Sequence, residues 1–325
     1  MGRAAKRPSL DRFQDINLRL FVDTNVLIDF VDGINERGSK SFLGLFKKRK
    51  FKNIELVTSD YVLWEFYDHY KDELYIKKLI SECNYGHVSA NKECIRRRFK
   101  KAGLKDMQSF GETIAKYEQL FGEDPVNITR LSGKEPEGFG EIVETLRRCS
   151  KFSYKDALVF VSAVFTRSSA IVTLDETFSS ESHLRELKEA LKGIKVKLRL
   201  EMDFKKPNDL ATKERVEKCY KDWFVKHNRK KQIGKVIRVW PRRNAIGVEC
   251  IKNFFIEKGD YLCLAKFRRK TDSWTEIFEV KEGNIRDYDT EQEVSSGKKL
   301  TIKLPNGQKA RLFFKDATVF LYSYS

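Results

Sequence analysis

Two hydrophobic regimes divide this chain. Up to about residue 205, short apolar runs alternate with stretches whose apolar residues recur every three or four positions; from Gln232 onward the recurrence tightens to nearly two. Leu18 to Val22 and Ala170 to Leu174 are runs of buried-strand length, and each stops at an acid, Asp23 and Asp175. Thr24 and Asn25 can cap the helical pattern that follows the first run. In SDYVLWEFYDHY, Tyr61, Val62, Leu63, Phe66 and Tyr70 keep helical spacing behind a Ser59/Asp60 cap, which puts Glu65 inside the first two turns. FSYKDALVFVSAVF opens on Ser153 as an N-cap, and its stripe of Ala157, Val161 and Val164 sets Asp156 in the first helical turn. Val196 to Leu200 reads as the last strand of this region.

The second regime reads as IGKVIRVW, AIGVECI, YLCLAKF, TEIFEV, KLTIKL, ARLFF and TVFLYSYS, with turn chemistry in Pro-Arg-Arg-Asn, Lys-Gly-Asp and Pro-Asn-Gly-Gln. Seven short strands over about 95 residues predict a small closed barrel. Between the regimes, residues 205–231 are polar and carry ATKERVEKCYKDWFVKHNRKK, a helical connector. Residues 75–139 read as a helical insertion, with IKKLISEC and SFGETIAKYEQLF, that ends in DPVNITRLSGKEPEGFG as a loop. Residues 1–14 form a basic flexible arm without the apolar stretch of a secretory signal.

Each of the four acids has a plain structural role open to it. Asp156 three residues after Ser153 is what a capping box requires; Asp23 can cap the next helix, and Glu65 can be a half-exposed helical acid. All four nevertheless sit at a strand end or a helix start, and in an open α/β sheet ligands gather at the carboxyl edge of the strands. A cluster of carboxylates in a chain with only four His suits a hard cation, Mg²⁺ or Mn²⁺. One such ion makes a nucleophile of water near neutral pH, and a second about 3.5–4 Å away steadies a leaving oxygen, which are the two needs of phosphodiester hydrolysis. Asp29, Asp32, Asp68 and Glu176 are near in sequence, and we read them as solvated acids outside the site.

VDTNVL, a helical V-x-x-E ending at Glu65, a helix opening with KDALV and a strand ending in VTLDETF occur in an order that resembles the PIN-domain nucleases over residues 15–204. The resemblance implies a three-layer α/β domain with a central, mostly parallel sheet. It implies that Asp23, Glu65, Asp156 and Asp175 are the metal-binding and catalytic acids, and that Asn25 and Thr173 support them. It also implies a nuclease dependent on Mg²⁺ or Mn²⁺, usually acting on single-stranded RNA, in a family that often dimerises. The 90 residues between Glu65 and Asp156 exceed what compact members of that family carry, which leaves substrate choice open. IGKVIRV, AIGVECI and KGDYLCL, in residues 232–325, resemble the β-barrel second domain of translation GTPases, which implies docking on structured RNA, a ribosome or another ribonucleoprotein.

Charge bears on the partner. The net charge is +17, and residues 226–325 hold 22 basic and 12 acidic side chains, a net +10 that leaves +7 for the rest. A site of four acids repels a polyanion, so cations elsewhere must overcome it. Arg147, Arg148 and Lys151, just upstream of the Asp156 helix, are candidates for a phosphate contact, as are Arg242 and Arg243 in the barrel. The basic end of a helix is an equal reading of the first three. Trp240 and Trp274 can stack on bases or fill the barrel core.

With 41% hydrophobic residues and no apolar stretch near 18 residues, we expect a soluble cytoplasmic protein without a membrane span. Six cysteines without a C-x-x-C pair read as reduced thiols. The expectation is a metal-dependent endoribonuclease whose basic barrel assists RNA or ribonucleoprotein binding. An inactive RNA-binding scaffold and a structure-specific DNA nuclease are the alternatives.

Overall fold

The computed structural model describes residues 16–32, 38–49, 51, 53–69, 126–129, 131, 134–149, 152–176, 178, 202–267, 274–281, 284–286, 292–305 and 316–322. The chain divides into two compact units, one of residues 19–50 and 55–212, the other of residues 1–18, 51–54 and 213–325.

The α/β unit is built on β1 (Leu18–Val22), β2 (Ile54–Ser59), β3 (Val126–Thr129), β4 (Ala170–Val172) and β5 (Asp203–Lys205), in the order β3-β2-β1-β4-β5. The pairings β1 with β4, β2 with β3 and β4 with β5 are all parallel. The middle strands are apolar along their length because helices cover both faces of such a sheet: Leu20, Phe21, Val22, Ile171 and Val172 are fully buried. Helix α1 (Thr24–Asp32) follows β1 at once, α2 (Ser39–Lys48) comes next, and α3 (residues 60–69) springs directly from the end of β2. Helix α4 (Phe139–Cys149) packs on α5 (Tyr154–Phe165). Helix α5 buries Ala157, Val159, Phe160, Val161, Ala163 and Val164, far more than one stripe, as a helix enclosed on most sides must.

One expectation in this unit changes. Residues 126–129 were read as part of a loop because Pro125, Pro136 and three glycines punctuate the segment; they form β3, at the margin of the sheet beside β2. Val126 and Ile128 supply the period of two, and a proline just ahead of a marginal strand removes no ladder hydrogen bond. The strand expected at 196–200 lies outside the described residues, as do residues 1–14 and residues 75–125 of the insertion; β5 is the last strand described in the sheet.

The antiparallel unit begins with α6 (Lys213–Asn228), the segment expected to be a connector. It is an integral part of the unit: Val216, Tyr220, Trp223 and Phe224 are buried, the Phe224 ring meets Phe320 edge-on at 4.9 Å between centroids, and Asn228 Oδ1 accepts from the Tyr322 hydroxyl at 2.6 Å. The apolar spacing within KERVEKCYKDWFVKHN therefore marks a packed face and not a spacer.

Strands β6 (Gln232–Trp240), β7 (Ala245–Cys250), β9 (Tyr261–Lys266), β10 (Trp274–Glu279), β11 (Ile285–Arg286), β13 (Lys299–Lys303) and β14 (Thr318–Tyr322) form a seven-stranded sheet in the order β10-β9-β14-β6-β7-β13-β11. β8 (Phe254–Ile256) and β12 (Gln292–Val294) form a separate ribbon. One core draws on both margins of the sheet, Phe278 from β10 and Ile285 from β11, together with Val236, Ile246, Leu264, Leu300 and Val319 between them. A flat sheet cannot bring its two margins to one core, so this sheet curls. Among the described residues β10 and β11 do not pair with each other, and the result is a half-barrel where seven runs predicted closure. Residues 310–314, expected as a strand, lie outside the described residues. Cys250 and Cys263 are buried in this sheet as free thiols, and burial pushes both well up, Cys250 to about 11.

Among the described residues no helix is long and apolar enough to cross a membrane.

Candidate active site

Parallel pairing fixes where the acids can meet. Val22 lies beside Val172 in register, so the residues that leave β1 and β4 emerge side by side at one sheet edge. Asp23 is the first residue past β1, and its amide donates to the Val172 carbonyl at 3.1 Å. Thr173, Leu174 and Asp175 are the first past β4. Because α3 follows β2 without a loop, Glu65 comes to the same edge.

A polar network locks the two strand exits together. Asp23 Oδ1 accepts the Thr24 amide at 2.7 Å; Oδ2 accepts Asn25 Nδ2 at 2.9 Å and the Thr173 hydroxyl at 2.6 Å. Asn25 Nδ2 also reaches Thr173 Oγ at 3.0 Å, Asn25 Oδ1 accepts the Leu174 amide at 3.0 Å, and Thr173 Oγ accepts the Asp175 amide at 3.0 Å. Asn25 and Thr173 thus clamp the loop that carries Asp175 onto the residue that carries the buried acid. The Thr24 hydroxyl donates to Glu65 Oε2 at 2.9 Å and fixes the third acid against the first.

Asp156 serves two masters. Its amide donates to Ser153 Oγ at 3.2 Å and its Oδ2 accepts the Ser153 amide at 2.9 Å, a complete capping box at the start of α5. The cap is what holds this carboxylate at the helix N-terminus, and that terminus opens on the same cavity. Asp23, Glu65, Asp156 and Asp175 all line one cavity of about 340 Å³, along with Thr24, Asn25, Asp68, His69 and Lys155.

The electrostatics follow from burial. Asp23 is only 4% exposed, and its carboxyl is pushed up to about 7, first by desolvation; the Thr173 and Thr24 hydrogen bonds oppose this, while Glu65 and Asp156 add to it. Lys155 Nζ is 3.3 Å from Glu65 Oε1 and 4.0 Å from Asp68 Oδ2. An ammonium drawn between two acids of the wall is what a cavity of this sign favours.

A profile of the PIN domain matches residues 20–182. The chain belongs to the PIN-domain family. That is a family of nucleases, and the matched residues contain all four acids of the cavity. No curated protein matches the chain. Among solved structures, VapBC2 from Rickettsia felis bound to a DNA fragment from its promoter is 16% identical, covers 50% of this chain and 92% of that chain, and has a TM-score of 0.28. The C-terminal domain of a putative U32 peptidase from Geobacillus thermoleovorans is 16% identical, covers 29% of this chain and 94% of that chain, and has a TM-score of 0.20.

Whether a divalent cation fits the PIN-domain cavity is a question of donors and distance. The donors fit, being carboxylates with no Cys in the wall, and a cation would relieve the desolvated, like-charged setting of Asp23. The distances are wider than a compact ligand shell: among the described residues no group of three acids, His or Cys converges to hold an ion directly. Mg²⁺ keeps several of its waters, and a wall of spaced carboxylates suits an ion held partly through water.

The surrounding residues sort by position. Asp68, read as a solvated acid, lines the cavity; its spacing of three from Glu65 on α3 was the signal that both share a face. Lys155 and His69 were not foreseen, although Lys155 precedes Asp156 in the first turn of α5. Asp29 and Glu176 are not among the lining residues, and Glu176 instead pairs with Lys206 at 2.8 Å. Arg147 and Arg148 stand exposed on α4, where both bind Glu144, at 2.8 and 2.9 Å, and hold its carboxyl down at about 2. Lys151 lies outside the described residues. Arg242 and Arg243 are exposed in the antiparallel unit.

Proposed function

We propose that this protein is an endoribonuclease dependent on Mg²⁺ or Mn²⁺. The observation that carries the reading is that four acids from four separate elements line one cavity at the carboxyl edge of the parallel sheet. Asp23, Glu65, Asp156 and Asp175 would hold the ions, directly or through water. When bound, such an ion supplies Lewis acidity toward a phosphodiester and toward the attacking water.

The chain's own residues have defined parts in that chemistry. Asn25 and Thr173 keep Asp23 and Asp175 in fixed relation, so little reorganisation is needed when substrate arrives. Thr24 orients Glu65, and Ser153 orients Asp156. Lys155 offers a cation at the rim for a non-bridging phosphate oxygen once Glu65 is engaged elsewhere. No side chain need act as the nucleophile. The antiparallel unit assists RNA or ribonucleoprotein binding through its positive charge, and the protein works in the cytoplasm.

The test is a calorimetric Mn²⁺ titration on the intact protein and on Glu65→Gln, run beside cleavage of an end-labelled single-stranded RNA. Binding and cleavage both lost in the variant support the reading. RNA binding by an intact protein that takes up no Mn²⁺ and makes no cuts would replace it with an inactive scaffold.

A further inference from the structure

We propose that the outer face of the antiparallel sheet, centred on Trp240, is a binding surface for single-stranded RNA. It is a site apart from the acidic cavity, and it rests on the nuclease reading only in its choice of RNA over DNA.

The face exists because of a bulge. Along β6, Val236 stands opposite Val248 and Arg238 opposite Gly247, so two steps on β6 match one step on β7. Val236, Ile246 and Val248 belong to the core. Strict alternation from Val236 would send Arg238 and Trp240 inward; the extra residue, Ile237, reverses the sense, so that Val239 packs on the core and Arg238 and Trp240 face out. A tryptophan on the solvent side of a sheet needs a floor, and Gly247 provides it. A Cβ at Gly247 would lie 3.0 Å from Trp240 Cη2 and 3.2 Å from Cζ3, so the indole rests directly against bare backbone.

Charge then selects the ligand. The Arg238 guanidinium lies over the indole, 5.3 Å from its centroid. Arg242 and Arg243 follow in the next turn and Lys303 stands opposite Ala245, on the Gly247 face of the sheet; all three are exposed. The acid that β7 places on this face, Glu249, is flanked across the strands by Lys235 and Lys299. Covering a glycine would explain the indole alone but not the cations around it. Phosphates would engage Arg238, Arg242, Arg243 and Lys303, and a base would stack on the indole and guanidinium. A polyacidic peptide without aromatic residues could use the cations but has no flat group for the indole, and a duplex keeps its base faces closed.

The test measures anisotropy of a fluorescein-labelled oligouridylate of roughly 20 nucleotides bound to the full chain in EDTA, where no cleavage intervenes. Trp240→Leu is expected to weaken binding by about 5- to 100-fold and Trp240→Phe by much less. Arg242→Gln with Arg243→Gln is expected to weaken binding and to lower the salt dependence by about one to two phosphate contacts. Unlabelled RNA should displace the probe better than single-stranded DNA of the same length, and poly-glutamate least well. Unchanged affinity in Trp240→Leu with normal thermal melting would overturn the proposal, as would displacement by poly-glutamate equal to that by RNA. Should Trp240→Leu not fold, Trp240→Phe and the double arginine variant carry the decision, and full affinity in the latter overturns it. A protein that cleaves RNA but ignores Trp240 refutes this surface alone; one that binds through Trp240 and never cleaves refutes the nuclease reading alone.

Discussion

The carboxyl edge of the parallel sheet and the outer face of the antiparallel sheet solve opposite electrostatic problems. The edge gathers acids into a partly desolvated cavity, where a polyanion is repelled until cations arrive. The face spreads cations around one aromatic plate with a single acid on β7. Each depends on its sheet type. Parallel strands release neighbouring chain ends at one edge, so residues distant in sequence, such as Asp23 and Asp175, meet there. An antiparallel sheet offers a broad outward surface whose composition follows from register, and one bulge decides which residues it displays. As proposed, catalysis lies at the edge and grip on the face.

The contrast breaks most readily at Asp23. Asp23→Asn should lower cleavage by roughly 10³-fold or more, the scale on which a lost electrostatic catalytic group is felt, while binding of RNA in EDTA is unchanged or tighter. The same variant should make the metal-free protein more stable at pH 7.5, because a desolvated charge is gone; thermal melting checks this. On the other side, Phe224→Ala removes a ring that is fully buried against Phe320 and should cost about 3–5 kcal/mol in denaturant unfolding, with no specific loss of Mn²⁺ binding.

A pH series sharpens the difference next. Asp23 holds its proton up to about pH 7 when folded, against an ordinary 3.8. A raised carboxyl binds more protons folded than unfolded across that window, so stability is fully present below about pH 4 and falls as pH rises to 7. The loss is on the order of a few kcal/mol. Saturating Mg²⁺ should restore more stability at pH 7.5 than at pH 5, and Asp23→Asn should flatten the slope. The smallest effect belongs to Arg147→Gln: its guanidinium serves an exposed intrahelical pair, so stability should move by less than about 0.5 kcal/mol and cleavage by less than about twofold.

Much of this was legible in the chain. The strand end before Asp23 and the helix starts before Glu65 and Asp156 were visible, because apolar runs and caps are local signals, whereas β4 stops at Val172, two residues short of the end of the apolar run that led to Asp175. Their order carried the expectation that they converge; parallel register explains why Asp23 and Asp175 leave the sheet side by side, and all four acids line one cavity. The pair of bonds between Ser153 and Asp156 was also foreseeable from spacing, and it turned out to coexist with a place in the cavity wall. What local signals could not supply is pairing and face. β3 hid among prolines and glycines because only its neighbour β2 makes it a strand, and β8, β11 and β12 are two or three residues long, too short to show a period. The helix of residues 213–228 looked like a connector because charge outweighs its four buried apolar residues, Val216, Tyr220, Trp223 and Phe224, in composition. Trp240 faces outward only because of a bulge that no pattern of residues announces.

The most direct test is Mn²⁺-dependent cleavage of total RNA, transfer RNA and single-stranded DNA, comparing the intact chain with Asp156→Asn. The account predicts metal-dependent cuts in RNA that EDTA and the variant both abolish. Cuts that persist in Asp156→Asn, or cuts confined to DNA, would contradict it.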